Sequence, residues 1–336
     1  MSLQALLSRL VRGPARTEAL AAELAVSAAH LQEDVAKLRL AGVDLIERDG
    51  EIRLAHELQL LDADVIVTAL PSELRAQVAA LQLRFETDST QSDALAATTP
   101  TQGVAIWLAE RQTAGQGRRG RAWVSPLAAN LMMSLSRRFQ GGFTALSGLS
   151  LVVGVAVAEA LQAMGYDHVG LKWPNDLVAE AGKLGGILVQ LRGDARGPCE
   201  AIIGLGLNIK MPRSAGLDID QSWCDLAQLD DGEPPSRNLV AAAVLTHLLP
   251  ALDQFDRVGF APFAARWQAL DALAGKPVRV LDGASEHEGL ALGVSDVGAL
   301  RVQLVQGERQ FHGGEVSLRP LGPRAAHRTE GRTGSA

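Results

Sequence analysis

Cysteine is nearly absent: Cys199 and Cys224 are the two in 336 residues. That excludes a disulfide framework, and their spacing fits no metal site, so both read as reduced and structural. An excess of positive charge is missing as well. Lys and Arg number 32 against 38 Asp and Glu, giving a net charge of −6 and a pI near 5.7. This excludes a generic polyanion binder, so any nucleic-acid contact must be local. The N-terminus has no positive-then-apolar signal pattern. The most membrane-like stretch, Leu146–Met164, is interrupted by Glu159, Gln162 and several Gly and Ser residues, and reads as a core helix. What is left is 47% hydrophobic and long enough for two or three domains with a large core. The expectation is a cytoplasmic enzyme with no membrane contact.

The stretch that organises the chain is Arg111–Pro126, where Gly115, Gly117 and Gly120 alternate with Arg118, Arg119 and Arg121 and no carboxylate intervenes. Glycines let backbone N–H groups approach a ligand, and the arginines are permanently charged forks for phosphate or carboxylate. A solvated basic loop has the same composition. Gly115–Gly120 also spells G-x-G-x-x-G after the apolar run Val104–Ala109, as a dinucleotide fingerprint would. That reading fails. No helix can open across Val124–Pro126, and no acidic residue lies between Arg121 and Ala158 to take a ribose. The G-K-[ST] ending of a P-loop is absent too.

Along the chain, Leu3, Leu6, Leu7 and Leu10 share one helical face that ends at Gly13–Pro14, and Thr17 opens a second helix. Ser27 caps a third, carrying Leu31, Val35 and Leu38 and closing at Gly42. Leu45–Leu54 reads as a hairpin about Asp49–Gly50. Three helices and a wing outline a winged helix-turn-helix, with Ser27, His30, Gln32, Lys37 and Arg39 as DNA-contact candidates; a protein-interaction module of the same shape is the alternative. Glu33 and Asp34 cancel Lys37 and Arg39, and the hairpin tip is acidic. After a linker and helices over 56–80, apolar runs at 104–109, 130–139, 168–173, 184–191 and 201–209 surround a long helix near 147–164. Hairpin-sized links imply an α/β unit with a mixed or antiparallel sheet. Helices follow over 236–272, then strands at 277–281, 288–294, 299–304 and 315–321, as in a small barrel. The expected α+β multidomain division is 1–64, 65–272 and 273–321, with a disordered polar tail over 322–336.

Three further clusters carry chemistry. Lys172 and Asp176 flank a proline turn at a strand end, and Lys183 begins the next strand beside glycines. Asp176 is a candidate to bind magnesium or to hold a lysine. In Gly204–Asn208 two glycines remove side chains from an apolar strand, as close ligand approach or a bulge requires. The hydroxyls of Thr87–Gln91 either bind a small polar head group or cap the helix after them.

Thr87–Gln91, Gln112–Ser125, Lys172–Asp176, Lys183–Ile187, Gly204–Asn208 and Gly313–Pro320, in that order over nearly the whole chain, together resemble the biotin–protein ligases. With the preceding helix-turn-helix the likeness is to their bifunctional bacterial form, ligase and biotin-operon repressor, in which the C-terminal unit is SH3-like. The resemblance implies that biotin and ATP, with Mg²⁺, give biotinyl-5′-AMP and pyrophosphate, and that a lysine of the biotin carboxyl carrier protein of acetyl-CoA carboxylase then displaces AMP. It also implies operator DNA as a partner and a homodimer when the adenylate is bound.

By the same similarity Ser89, Thr90, Gln91 and Gln112 would surround the ureido ring, and Gly115, Gly117, Gly186, Gly204 and Gly206 would let the biotin tail lie on backbone. Gln116 and the arginines 118, 119 and 121 would close over adenylate and pyrophosphate, and Trp123 would pack on adenine. Lys183 would meet the biotin carboxylate, Lys172 phosphate, and Asn175, Asp176 and Asn208 the metal and nucleotide. Met211–Trp223 resembles the adenylate-binding loop, and Arg319 an ATP contact. Lys183, Arg118, Lys172 and Asp176 are the expected catalytic set. The sequence departs from the family at Gln116, where arginine is common, and at Gln91, where asparagine is common. The alternatives are a ligase whose N-terminal unit does not bind DNA, a ligand sensor without catalysis, and a lipoate-type ligase.

Overall fold

The computed structural model describes residues 3–194, 196–230, 235–313 and 316–320. The tail from Gly322, and Gly314 and Glu315 of the last motif, lie outside the described residues.

The N-terminal unit comprises α1 (Leu3–Val11), β1 (Ala15–Arg16), α2 (Thr17–Glu23), α3 (Ala28–Leu40), β2 (Leu45–Arg48) and β3 (Glu51–Leu54). Ser27 caps α3 as its position predicts, its hydroxyl accepting the His30 N–H at 3.2 Å. Asp49 and Gly50 both have positive φ (51° and 75°), as a two-residue hairpin turn matching the strand twist requires. The two residues of β1 were not foreseen; they join β3 and give the sheet order β1-β3-β2. Leu6, Leu7, Leu20, Leu31, Val35, Leu38 and Ile52 form this unit's own core. Leu127, from beyond the arginine-rich loop, inserts into it and donates its N–H to the Ala41 carbonyl at 2.8 Å.

The chain crosses to the central unit on a pinned linker. Arg237 donates to the Gln59 carbonyl and to the carboxylate of Glu110, which also accepts the Leu61 N–H. Both charged side chains are 4% exposed. Then come α4 (Ala63–Ala69), α5 (Ser72–Arg75), β4 (Val78–Thr87), α6 (Thr90–Ala96), β5 (Val104–Gln112), β6 (Asn130–Phe139), α7 (Leu149–Ala163), β7 (Gly170–Lys172), β8 (Asp176–Ala179), β9 (Gly182–Gly193), β10 (Cys199–Asn208), α8 (Leu226–Leu229), α9 (Arg237–Val258) and α10 (Ala264–Leu270). The sheet runs β4-β5-β6-β10-β9-β8-β7; β4 and β5 are parallel and every other pair antiparallel. It is mixed, as the short links imply. Strand β4 escaped the sequence reading because its apolar residues alternate with polar ones at the sheet edge.

Alternation along the strands makes two different faces. Val104, Ile106, Leu108, Leu131, Leu135, Ile203 and Leu207 join α7 and α9 in the main core, while Ala105, Trp107 and Ile202 join Ala94 of α6 in a small second cluster. Leu149–Ala163 is long because it is a core helix: with Phe143–Leu146 it forms a segment apolar enough to cross a membrane, and 67% of it is buried inside the fold.

The C-terminal sheet is antiparallel, ordered β14 (Gly307–Phe311), β13 (Leu300–Leu304), β12 (Ser285–Val294), β11 (Pro277–Asp282), β15 (Val316–Pro320). Strand β14 is an addition to the expected set. Val278, Val280 and Val302 share the main core with α7, and Trp173 donates its indole N–H to the Gly298 carbonyl at 3.2 Å. The SH3-like unit thus rests on the turn that carries Lys172 and Asn175.

Candidate active site

The α6-side face of the sheet opens into a cavity of about 1550 Å³. Register explains where it lies. Ser134, Gly204 and Leu188 are consecutive partners across β6, β10 and β9, and Met132, Gly206 and Gly186 form the next row. The two rows therefore have a floor with few side chains, between walls supplied by α6 and the arginine-rich loop.

At one end the walls are polar and buried. Ser89 caps α6 by accepting the Gln91 N–H at 3.2 Å. Thr90 contacts Ser134 Oγ at 2.8 Å and Gln112 Oε1 at 3.0 Å, and its backbone N–H donates to the same Gln112 oxygen at 2.7 Å. Ser89 closes the helix, and Thr90 lines the cavity. Ser134 was missed in the sequence, because a serine in an apolar strand carries no signal until its neighbours are known.

Arg111–Pro126 forms a hairpin rather than an open loop. Trp123 N donates to Gly115 O at 2.8 Å, Gly117 N to Arg121 O at 2.7 Å, and Gln116 bridges Ala122. Arg118–Gly120 is a single 3-10 turn, with Arg119 and Gly120 at φ 60° and 70°. A Cβ on Gly115 would stand 2.9 Å from the Trp123 carbonyl, so this position demands glycine. Arg118 points inward and donates to Asn175 Oδ1 at 3.1 Å. Burial, then the neighbouring Arg119, lowers its pKa, and Asp176 opposes them. Arg119, Arg121 and Gln116 stay exposed on the cavity rim.

The centre is a triad of charges. Asp176 Oδ2 lies 2.8 Å from Lys172 and Oδ1 lies 2.7 Å from Lys183. Asp176 is opposite Lys172 in the β7–β8 pair, and β8 delivers it alongside β9, where Lys183 begins. Burial works to raise the Asp176 carboxyl, but Lys183 and then Lys172 overcome it and hold its pKa below the usual range. Lys183 also stands 5.5 Å from the centre of the Trp123 ring. With both carboxylate oxygens on lysines, and no group of three His, Cys, Asp or Glu side chains among the described residues, a resident metal does not fit here.

Trp123 lies inside the cavity, its ring against the open faces of Gly186 and Gly206. Asn208 donates to the Cys224 carbonyl at 3.0 Å and accepts from Asn130 at 2.9 Å, tying β10 to the segment after Trp223. Trp223 ends the Met211–Trp223 stretch singled out in the sequence. It borders the cavity beside Lys183, whose N–H donates to Ser222 O while Cys224 N donates to Lys183 O. Arg319 reaches the outer rim from β15.

None of the five candidate residues of the N-terminal unit lines this cavity, and all are engaged within their own unit. Lys37 pairs with Asp34 at 3.0 Å, His30 lies 3.5 Å from the same carboxylate, and Glu47 of β2 takes Gln32 at 2.8 Å and Arg39 at 3.5 Å. Ser27 is the helix cap.

Comparison with known proteins decides the assignment. The Biotin/lipoate A/B protein ligase family profile matches residues 85–208, and the Biotin protein ligase C terminal domain matches 274–319. The bifunctional ligase/repressor BirA of Salmonella typhimurium is 38% identical over 303 residues, covering 90% of this chain and 92% of its own. The chain belongs to the biotin protein ligase family. The BirA of Escherichia coli is 37% identical with the same coverage, and the biotin–[acetyl-CoA-carboxylase] ligase of Paracoccus denitrificans 34% identical over 68% of this chain and 97% of its own. Among structures, the biotin protein ligase of Aquifex aeolicus in complex with biotin and ATP is 28% identical, with a TM-score of 0.62 over 72% of this chain and all of that one. The segments matched to the biotin ligase profiles hold the polar end, the arginine hairpin, the charge triad and Arg319.

Proposed function

We propose that this protein is an ATP-dependent biotin–protein ligase that forms biotinyl-5′-AMP and passes biotin to a lysine of a biotin carboxyl carrier protein. The observation that carries this reading is the polar end of the cavity: Thr90, Gln91, Gln112 and Ser134 are all buried there. These groups already pair with one another, forming a preorganised polar wall; the N–H groups of a ureido ring can bond to its remaining lone pairs, whereas the dithiolane of lipoate has no donor to offer them. An aliphatic tail would then run past Trp123, whose ring covers Gly206, and end at Lys183.

In this reading the biotin carboxylate approaches the α-phosphate beside Lys183 and Lys172, which counter the repulsion between two anions. A carboxylate oxygen attacks phosphorus, and the bond from phosphorus to pyrophosphate breaks. The acceptor amine then attacks the acyl carbon, the C–O bond to AMP breaks, and the amine loses its proton. Arg118, with Arg119 and Arg121 beside it, covers the phosphates, and Trp123 or Trp223 offers a face to adenine. Magnesium fits best as the counter-ion that ATP brings, and the residues present do not require a protein cage for it.

The 37–38% identity to bifunctional ligase/repressors over 90% of the chain supports a repressor role with operator binding by the N-terminal unit, and with it we propose adenylate-linked homodimerisation and a cytoplasmic setting. Pyrophosphate exchange into ATP, with biotin and lipoate offered singly, tests the ligase reading. Exchange with biotin alone is expected; exchange with lipoate alone, or with neither, overturns it.

A further inference from the structure

Gln91 lines the cavity, and its hydrogen-bonding groups are taken up by the protein. Both protons of its amide nitrogen are committed, one to the Ile202 carbonyl at 3.1 Å and one to Gln190 Oε1 at 2.9 Å. A carbonyl can only accept, so the nitrogen of Gln91 must lie on that side and its oxygen on the other. That oxygen receives the Ser134 hydroxyl at 3.1 Å. It also occupies the space over Gly204, where a Cβ would be 2.6 Å from it. A side chain at 204 would displace that oxygen, so this pose of Gln91 goes with the glycine.

The consequence runs along the chain of contacts. An amide oxygen cannot donate, so the Ser134 proton points at Gln91, and Ser134 can offer only lone pairs to its other neighbours. Thr90 Oγ1, 2.8 Å away, must then donate if the two hydroxyls are bonded, and its other partner, Gln112 Oε1, is an acceptor already taking the Thr90 N–H. Both hydroxyl protons are engaged within the protein. What the pair turns to the cavity is acceptor capacity.

We infer that Gln91, anchored by Gln190, is a positioning residue that fixes the proton direction of the Ser134–Thr90 hydroxyl pair, so that this end of the cavity accepts an N–H of a planar ring rather than donating to it. The inference rests on the biotin reading above and assigns roles to Gln190 and Ser134 that the sequence did not suggest. Gln190 borders no part of the cavity. It acts by holding the second proton of Gln91; without it that buried N–H is left unpaired and the amide is free to turn.

The test uses the full-length protein, with biotin binding read by calorimetry without ATP and pyrophosphate exchange read as separate kcat and KM values. Q190L should weaken biotin binding and raise its KM by about tenfold, the usual effect of one lost buried hydrogen bond, with kcat and the KM for ATP within twofold of wild type. Q190E keeps an acceptor at the same place and should restore biotin affinity. Q91N, one methylene shorter, cannot span Ile202 and Ser134 together and should repeat the Q190L effect, which covers the case in which Q190L does not fold. Wild-type affinity in Q190L or Q91N, or a Q190E protein as weak as Q190L, overturns the inference. So does a parallel loss of ATP affinity and melting temperature, which marks a packing role alone. If the wild-type protein shows no exchange with biotin, the functional reading fails instead, and that outcome is separate.

Discussion

The carboxylate of Asp176 lies 2.7 Å from the ammonium of Lys183, and the same carboxylate holds Lys172 at 2.8 Å. One partly buried anion thus fixes two cations that would otherwise repel, beside the arginine hairpin. Lys183→Ala removes the cation nearest the tail end of the cavity. Adenylate formation should fall by about 10²- to 10³-fold, with the melting temperature little changed because Lys172 still pairs Asp176. Single-turnover formation of adenylate from biotin and ATP checks this, and wild-type rates would remove Lys183 from the chemistry.

The linker makes a stability prediction. Glu110 and Arg237 are buried together, and the arginine also holds the Gln59 and Asn130 carbonyls. Arg237→Ala leaves the carboxylate and those carbonyls without their donor and should cost about 3–5 kcal/mol. Urea melts of wild type and variant give the difference directly. A change below about 1 kcal/mol, the range of exposed pairs, would show that the linker is not anchored there.

Much of this was legible beforehand, and the reasons differ by element. Ser27, Asp49–Gly50 and the apolar period of the first three helices are local signals, and the structure repeats them. The glycines at 204 and 206 were visible as gaps, but what fills the gaps was not: Trp123 and Gln91 arrive from 83 and 113 residues away (206 − 123 and 204 − 91). Strand β14 and the two-residue β1 lack the length to show a period. Ser134 and Gln190 become meaningful only when register puts them beside Thr90 and Gln91. The neutralisation of α3 was half visible, since Asp34 lies within the helix while Glu47 comes from the wing.

A pH dependence follows from Asp271, where burial raises the carboxyl to about 6 while the backbone N–H of Leu273 and then Lys276 oppose it. Its native pKa exceeds the unfolded one, so the favourable contribution is full below about pH 4 and is lost as pH rises through 6. Asp271→Asn, which keeps the acceptor for Leu273, should match wild type at pH 4 and be more stable by about 2 kcal/mol above pH 7. Melting curves across that range decide it; a constant difference would contradict the assignment.

Glu47 gives a prediction for the N-terminal unit. It holds Gln32 and Arg39 on the outer side of α3. Glu47→Gln should release Arg39 for phosphate, tightening duplex DNA binding at low salt and steepening its salt dependence by about one counterion. Anisotropy titrations over a salt series measure both. An unchanged slope would mean that α3 does not meet the DNA backbone at Arg39.

The central claim is transfer of biotin to a carrier lysine, and intact mass of a biotin carboxyl carrier domain incubated with the protein, biotin, ATP and Mg²⁺ tests it most directly. The account predicts a single biotinyl addition that requires ATP and is absent when lipoate replaces biotin. A carrier domain left unmodified by active, adenylate-forming protein, or one modified equally with lipoate, would contradict it.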